Sequence, residues 1–432
     1  MPTAASILMP WMSESEGDMS QLPLRAQLAT ALGGMAATVS RLSGRGDGSV
    51  IGGKIALRLE PELLTLLAKD RRLALITGTN GKTTTTRLVS SALAELGPVA
   101  TNAFGANMPT GHVTALRNAP DATCGVLEVD EKYIPMVLKA TGASVVVMMN
   151  LSRDQMDRAS EIWMLAQRWR EALTGVDTHV IANADDPVVA WGASSAKQVT
   201  WVSAGQHWRE DSWCCPECGA HLNRGDTDWS CPECGLRRPD TTWALDDTVP
   251  GGAVIDPRGL RHELHLKLPG WANQSNAAMA LAAASAFGVE PDQALPRLRE
   301  VTSVAGRYTT VERDGRELRL LLSKNPAGWM ECFGVLREPP VPVTLSVNAQ
   351  GPDGRDTSWL WDVDYRVLRG RTVFVTGERR LDLAVRLEAD DVEFQLVSDI
   401  SEAVAAVPPG PMDVIANYTA FQQIRAAFGR VQ

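Results

Sequence analysis

The chain has 432 residues, 44% of them hydrophobic and 22% charged, with a formal charge of −9. This length exceeds one typical core and implies two or three domains of ordinary water-soluble composition. The acidic balance argues against nucleic-acid binding; with no bilayer-length apolar run and no cleavable export signal, the expected location is the cytoplasm.

Met1 to Ser20 is acidic and Ser-rich, and residues 1–50 are expected to form an N-terminal extension that is partly disordered. Within it, residues 22–42 carry Leu24, Leu28, Leu32 and Val39 at helical spacing. The plain expectation is an amphipathic helix packed on the next domain. The alternative is peripheral contact with the inner face of the membrane.

The apolar run Leu73-Ala74-Leu75-Ile76 leads into Thr77-Gly78-Thr79-Asn80-Gly81-Lys82-Thr83-Thr84, and an amphipathic stretch follows to Leu96. A strand, a Gly-rich turn and a helix start, in that order, make a phosphate cradle. Gly78 and Gly81 permit backbone angles that turn the N–H groups of residues 78–84 inward, and the helix start adds partial positive charge. Lys82 can reach the outer phosphates and the Thr83 hydroxyl can ligate Mg²⁺, so ATP with Mg²⁺ is the expected ligand. The plainer reading is a Gly-containing turn with a solvated lysine; strand, glycines, lysine and hydroxyls together weigh against it.

Gly125-Val126-Leu127-Glu128-Val129-Asp130-Glu131 is an apolar strand ending in carboxylates, which a parallel sheet brings to the edge holding the loop. Glu128 is the first candidate for Mg²⁺, with Asp130 and Glu131 as alternates; a solvated loop acid is the plain reading of each. Next come Ala143 to Met149 with Asn150-Leu151-Ser152-Arg153-Asp154-Gln155-Met156-Asp157, then Asn183-Ala184-Asp185-Asp186-Pro187 after a further strand.

Cys215-Pro-Glu-Cys218-Gly and Cys231-Pro-Glu-Cys234-Gly are near-copies that would place four thiolates around one ion. Structural Zn²⁺ is favoured over a disulfide pair or an iron–sulfur centre, with Cys214 a spare neighbour. This zinc ribbon, at about residues 211–240, interrupts an αβ pattern between strand-like Val199–Val202 and Leu264–Leu268. Leu268-Pro269-Gly270-Trp271-Ala272-Asn273-Gln274-Ser275-Asn276 then opens a helix on which Asn273 and Asn276 stand one turn apart.

The order of these segments resembles the Mur ligase superfamily, ATP-dependent enzymes that make amide bonds on carboxylates. The resemblance implies that Asn273 and Asn276 contact adenine and that Arg307 sits at a hinge near the transferred phosphate. Gln155 stands where the superfamily has a metal-contacting histidine, and Trp163 to Arg170 lacks its carbamylated lysine, so Mg²⁺ must be organised differently.

Residues 311–432 alternate strands (Leu318–Leu322, Val341–Val347, Thr372–Thr376, Glu393–Val397, Asp413–Ala416) with helices (Gly328–Leu336, Leu381–Glu388, Ile400–Ala406, Phe421–Phe428), a Rossmann-like α/β domain. Ser323-Lys324-Asn325-Pro326-Ala327-Gly328 and Asp353-Gly354-Arg355-Asp356-Thr357-Ser358-Trp359-Leu360-Trp361-Asp362 lie at strand ends, where ligands are expected.

Both segments resemble the MurT-type, Mur-ligase-like subunit family of lipid II isoglutaminyl synthase, over roughly residues 50 to 430. The resemblance implies a Mur-ligase-type P-loop domain over 51–310 with the ribbon inserted. It also implies ATP-dependent amidation of the D-glutamate α-carboxylate of lipid II through an acyl phosphate. Lys82, Lys324 and Arg307 would neutralise charge, and ammonia would come from a separate class I glutaminase (GatD-like) in a heterodimer. Asp356 matches the residue thought to complete the partner's Cys-His dyad; the plain alternative is a turn-capping aspartate. A ligase adding a free amino acid, of Mur or folylpolyglutamate type, is the runner-up, and an ATP-switched zinc-ribbon adaptor is a reading from another class.

Overall fold

Two sheets organise the chain, and their central strands are short apolar runs buried on both faces. The computed structural model describes residues 22–42, 49–102, 105–154, 162–302, 308–313, 315–351 and 353–428. The expectations for Met1–Ser20, Gln155, Asp157 and Arg307 fall outside the described residues.

Three helices come first: α1 (Leu24–Leu42), α2 (Ser49–Leu59) and α3 (Leu63–Ala68). A regular alternation follows: β1 (Arg72–Thr77), α4 (Lys82–Leu93), β2 (Val99–Thr101), α5 (Pro109–Asn118), β3 (Cys124–Glu128), α6 (Ile134–Thr141) and β4 (Val145–Met148). It continues through α7 (Ile162–Leu173), β5 (His179–Asn183), α8 (Pro187–Ala193) and β6 (Gln198–Ser203). After a small hairpin of β7 (Asn223–Arg224) and β8 (Trp229–Ser230) come β9 (Trp243–Asp246), β10 (Ala253–Ile255), β11 (Arg261–Glu263), α9 (Trp271–Ala286) and α10 (Pro291–Glu300).

The first sheet runs β11-β10-β9-β6-β5-β4-β1-β3-β2, parallel from β9 to β2 and antiparallel at the β10 and β11 edge. Helices cover both faces, which is why the strands read as continuous apolar runs. Ala74 and Ile76 face one core with α4, α9 and α10, while Leu73 and Leu75 face the other with α3, α5, α6, α7 and α8. Because β1 lies between β4 and β3, its C-terminal end is a crevice of the kind that receives ligands in open parallel sheets.

The second sheet uses β12 (Tyr308–Arg313), β13 (Arg316–Leu322), β14 (Val343–Ser346), β15 (Val373–Thr376), β16 (Gln395–Leu396) and β17 (Pro411–Ala416), in the order β12-β13-β17-β14-β15-β16. It is parallel except at β12, and α11 (Pro326–Phe333), α12 (Arg380–Ala389), α13 (Ile400–Ala405) and α14 (Tyr418–Phe428) accompany it.

Several expectations need correction. The strand expected at Leu264–Leu268 lies instead at Arg261–Glu263, and His265, at φ 46°, breaks the extended path beyond it. Residue 50 falls inside α2, which pairs with α1 as one hairpin, and residue 310 falls inside the edge strand β12. In α1, Leu24, Leu28, Leu32 and Val39 are exposed, while Ala26, Ala29 and Ala37 are buried. The helix packs through its small residues, not its apolar stripe. No helix among the described residues is long and apolar enough to cross a membrane.

Candidate active site

The loop Gly78–Gly81 closes the crevice at the end of β1, and its shape is held by the segment after β4. Asn80 N–H donates to Asn150 Oδ1 at 2.8 Å, and Asn150 Nδ2 donates back to the Asn80 carbonyl at 3.1 Å. Thr79 N–H meets the Asn150 carbonyl at 2.9 Å, and the Thr79 hydroxyl donates to the Ser152 carbonyl while accepting from Ser152 N–H. Asn150 therefore clamps the loop. Gly81 has φ 81°, and a Cβ there would collide with the Asn276 amide oxygen and with Met149 Cε. Glycine is required at this position by both torsion and space.

Lys82 begins α4 and is buried. Its ammonium donates to the Gly78 carbonyl at 2.6 Å, the Thr79 carbonyl at 3.2 Å and Glu131 Oε1 at 2.8 Å. The Glu131 carbonyl in turn accepts the indole N–H of fully buried Trp169, on α7, at 2.8 Å. Thr83 and Thr84 occupy the first turn of α4, with Thr83 half-buried and Thr84 buried.

Glu128 ends β3 and is only 2% exposed. Its backbone is pinned on both sides: Asn102 accepts from its N–H at 2.8 Å and donates to its carbonyl at 2.8 Å, and His112 Nε2 donates to the same carbonyl at 2.8 Å. One carboxylate oxygen, Oε2, has no hydrogen-bond partner among the described residues. A buried carboxylate oxygen without a donor is a hard oxygen ligand in want of a positive partner, so the donor set suits Mg²⁺. Burial lowers the His112 imidazole to about 4, keeping it neutral. Asp130, beside them, is raised by burial first and by the neighbouring Glu131 second.

Asp185 and Asp186 hold the frame. Buried Asp186 caps α8 by accepting from Val188 and Val189 N–H at 2.9 and 3.1 Å, and its other oxygen takes Leu151 N–H at 3.0 Å. Burial raises its carboxyl to about 6. Asp185 pairs with Arg238 at 2.7 Å, fastening the cysteine-bearing segment to the sheet; Trp229 Nε1, bonded to the Ala184 carbonyl at 2.9 Å, does the same.

Asn273 donates to the Pro269 carbonyl at 2.6 Å and accepts from Asn276 at 3.5 Å, so the two amides face each other beside the loop. At the start of the same helix, Trp271 stacks on His207 with centroids 3.4 Å apart, bordering a cavity of about 220 Å³ also lined by Arg209, Arg224 and Asp228.

The second sheet reaches the loop through Asn325, whose amide pairs with that of Asn80 and which caps α11 by accepting from Gly328 N–H at 2.9 Å. Lys324, half-buried, immediately precedes it. Arg153 links three regions, pairing with Asp211 and, at 3.3 Å, with Asp362. Asp356 lies on the exposed side, where Oδ1 accepts from Ser358 N–H at 2.8 Å; that bond holds its carboxyl below the usual range. Trp361 and Val385 are exposed and line a shallow cavity with Ser358, and Leu381 is exposed on the same helix as Val385.

Away from the loop, the Sγ atoms of Cys215, Cys218, Cys231 and Cys234 lie within 4.8 Å of one another. The pairs Cys215–Cys234 and Cys218–Cys231 are 3.6 and 3.5 Å apart, too long for disulfides and near the ~3.8 Å of thiolates around a tetrahedral zinc. Gly219 and Gly235 follow at φ 79° and 76°, the torsion each knuckle needs. Cys214 stands outside the cluster.

Asn150 and Asn325 lie in segments that the sequence places at the site's edge, whereas Asn102 and His112 carry no such signal. Each of the latter two acts through a bond to backbone far along the chain, which leaves no local pattern.

The Mur ligase middle domain family matches residues 76–284, and the MurT ligase C-terminal family matches residues 322–421. The chain is 30% identical to the lipid II isoglutaminyl synthase (glutamine-hydrolyzing) subunit MurT of Streptococcus pneumoniae, over 87% of this chain and 90% of the relative. It is 29% identical to the subunit of the same name from Staphylococcus aureus, over 92% and 96%. Among solved structures, a pseudomurein peptide ligase type C from Methanothermus fervidus superposes with a TM-score of 0.66 at 18% identity, covering 86% of this chain and 83% of that one. MurF from Acinetobacter baumannii superposes at 0.63 and 17% identity, covering 87% and 80%. These likenesses establish the Mur-ligase-type α/β fold.

Proposed function

The chain belongs to the family of MurT subunits of lipid II isoglutaminyl synthase, and from that premise we propose how its residues amidate the D-glutamate α-carboxylate of lipid II. It is the ligase subunit of a glutamine-dependent synthase. A carboxylate is a poor electrophile. Its oxygen attacks the γ-phosphorus of ATP, ADP leaves, and the acyl phosphate is then attacked by ammonia; phosphate departs, a proton is lost and the amide remains.

The observation that carries this reading is the buried Glu128 carboxylate oxygen, without a partner among the described residues, beside the clamped loop and its lysine. In the reading, residues 78–84 cradle the phosphates, and Lys82 exchanges Glu131 for the outer phosphates. Thr83 and Glu128 would hold Mg²⁺, with Asp130 and Glu131 as alternates; the ion offsets charge on the phosphoryl oxygens. Lys324 and Arg307 add positive charge from the C-terminal side. Asn273 and Asn276 would meet the adenine, with the neighbouring cavity at Trp271 open for the base.

We divide the chain into an N-terminal extension ending before the α1–α2 hairpin, an ATP domain running through α10 and a C-terminal domain beginning at β12. The cysteine spacing supports structural Zn²⁺ in a ribbon at about 211–240, with no coordination position left for chemistry. The partner is a GatD-like class I glutaminase, docked where Trp361, Leu381 and Val385 expose apolar surface near Asp356. Asp356 would orient the partner's histidine.

The test is to supply the two-subunit complex with ATP, glutamine and lipid II and follow the loss of about one dalton as acid becomes amide. Lys82→Ala should abolish that change while the complex stays assembled. Retained amidation would overturn the assignment of the loop.

A further inference from the structure

The α1–α2 hairpin is inside out for a pair of helices in water. Its contact is made by small residues: a Cβ on Gly33 would lie 2.7 Å from the Gly52 carbonyl oxygen, and one on Gly52 would lie 2.6 Å from that of Gly33. Ala37 and Ala56 border the same contact, and Ala26 and Ala29 are buried on the inward side of α1. The large apolar side chains point outward. Leu24, Leu28, Met35 and Val39 are 78, 63, 57 and 64% exposed and form a stripe of about 22 Å along α1. Val50 and Ile51 continue it on α2.

Charge identifies the occupant. The described residues from 22 to 59 contain no carboxylate, in a chain whose formal charge is −9. Lys54 and Arg58 lie one turn apart within the exposed face of α2, between Ile51 and Leu59. Large apolar side chains interleaved with cations of one sign match an anionic lipid surface, where the apolar groups enter the headgroup boundary and the cations meet phosphate. The hairpin is also well placed for this. Gly53 packs so closely on α5 that a Cβ would collide with the Thr110 carbonyl, and two residues on His112 bonds the Glu128 carbonyl.

We propose that the outward face of α1 and α2 docks on an anionic membrane surface and holds the crevice beside a lipid-anchored substrate. The docking stands on the hairpin; only the benefit to a lipid-anchored substrate rests on the lipid II reading.

The test floats the two-subunit complex with phosphatidylglycerol vesicles and with phosphatidylcholine vesicles. Wild type should float with the anionic vesicles and less at high salt. Leu28→Glu/Val39→Glu and Lys54→Glu/Arg58→Glu should each cut that binding about tenfold or more without lowering the melting temperature. Both should keep the wild-type rate on a water-soluble stem-peptide precursor and lose rate on vesicle-embedded lipid II. A complex that stays in solution, or binding that survives both variants, overturns the proposal. So does binding gained only when residues 1–21 are removed, which would make that segment the cover. A changed particle mass in the variants would assign the face to a second copy or to the glutaminase. If wild type amidates neither substrate yet floats, the functional reading fails and the docking stands.

Discussion

The amides of Asn80 and Asn325 face each other and exchange two hydrogen bonds of 3.3 Å, joining the loop after β1 to the start of α11 across 245 positions of sequence. The pair is a direct link between the second sheet and the loop proposed to hold the phosphates. Asn325→Asp keeps an oxygen for Gly328 N–H and so preserves the cap, but cannot donate to Asn80. Its melting temperature should stay near wild type while kcat/KM for ATP falls roughly tenfold, the worth of one hydrogen bond. Asn325→Ala should add about 1 kcal/mol of destabilisation from the lost cap. Equal ATP kinetics in both variants and wild type would show that the amide pair couples nothing.

Lys82 is held by two loop carbonyls and Glu131, so the resting loop already carries its cation in place. Lys82→Ala should reduce amidation more than about 100-fold, with glutamine or with ammonium as the nitrogen source. Glu131→Gln should be far milder, because it removes only the resting partner. Steady-state rates with both nitrogen sources check this.

Asp356 offers its carboxylate beside an apolar patch while one oxygen caps the turn at Ser358. Asp356→Asn retains an oxygen for Ser358 N–H. It should lower glutamine hydrolysis by about 100-fold or more and leave ammonium-driven amidation intact. If both rates fall together along with the melting temperature, the residue is a turn cap only.

Much of this arrangement was legible in the sequence because its signals are local. The loop is a string of glycines, lysine and threonines, and the strands beside it are apolar on both faces since helices cover both. The second sheet's strands and helices fall within a few residues of their expected places for the same reason. Three things were not legible. Hydropathy marked α1 as a helix but misjudged its packing face, because close Ala and Gly contacts carry no hydropathy signal. The mostly polar run Tyr308–Arg313 gave little strand signal, being an antiparallel edge paired to β13 that sends Val311 into the core. The clamp on Glu128 by Asn102 and His112 crosses 26 and 16 residues, and such contacts exist only once the chain has folded.

The four clustered thiols predict about one zinc per chain by elemental analysis. Cys218→Ser should lose the metal and lower the melting temperature, since binding energy at such a site is folding energy. The loss should spread to the turn at Asp185, because Arg238 and Trp229 tie the ribbon to it. Hydrogen exchange across 183–186 reads that spread. A metal-free wild type with an unchanged melting temperature would refute a structural ion.

Two buried groups titrate in opposite senses. His112 falls to about 4 by burial, against an ordinary 6.5, so between those values the unfolded chain binds the extra proton and stability drops as pH is lowered. Asp186 rises to about 6 by burial, against an ordinary 3.8, so between those values the folded chain binds the extra proton and stability drops as pH is raised. From about pH 4 to 6 the two slopes oppose and largely cancel. Asp186→Asn keeps an oxygen for the α8 cap and removes one slope. Relative to wild type it should lose about 1.4 kcal/mol of unfolding free energy for each pH unit of acidification across that range. His112→Gln should show the reverse slope. Urea unfolding at about pH 4, 5 and 6, across the window set by the two groups, reads both as differences from wild type, so that all shared titrations drop out. Curves parallel to wild type would mean that neither burial carries a proton cost.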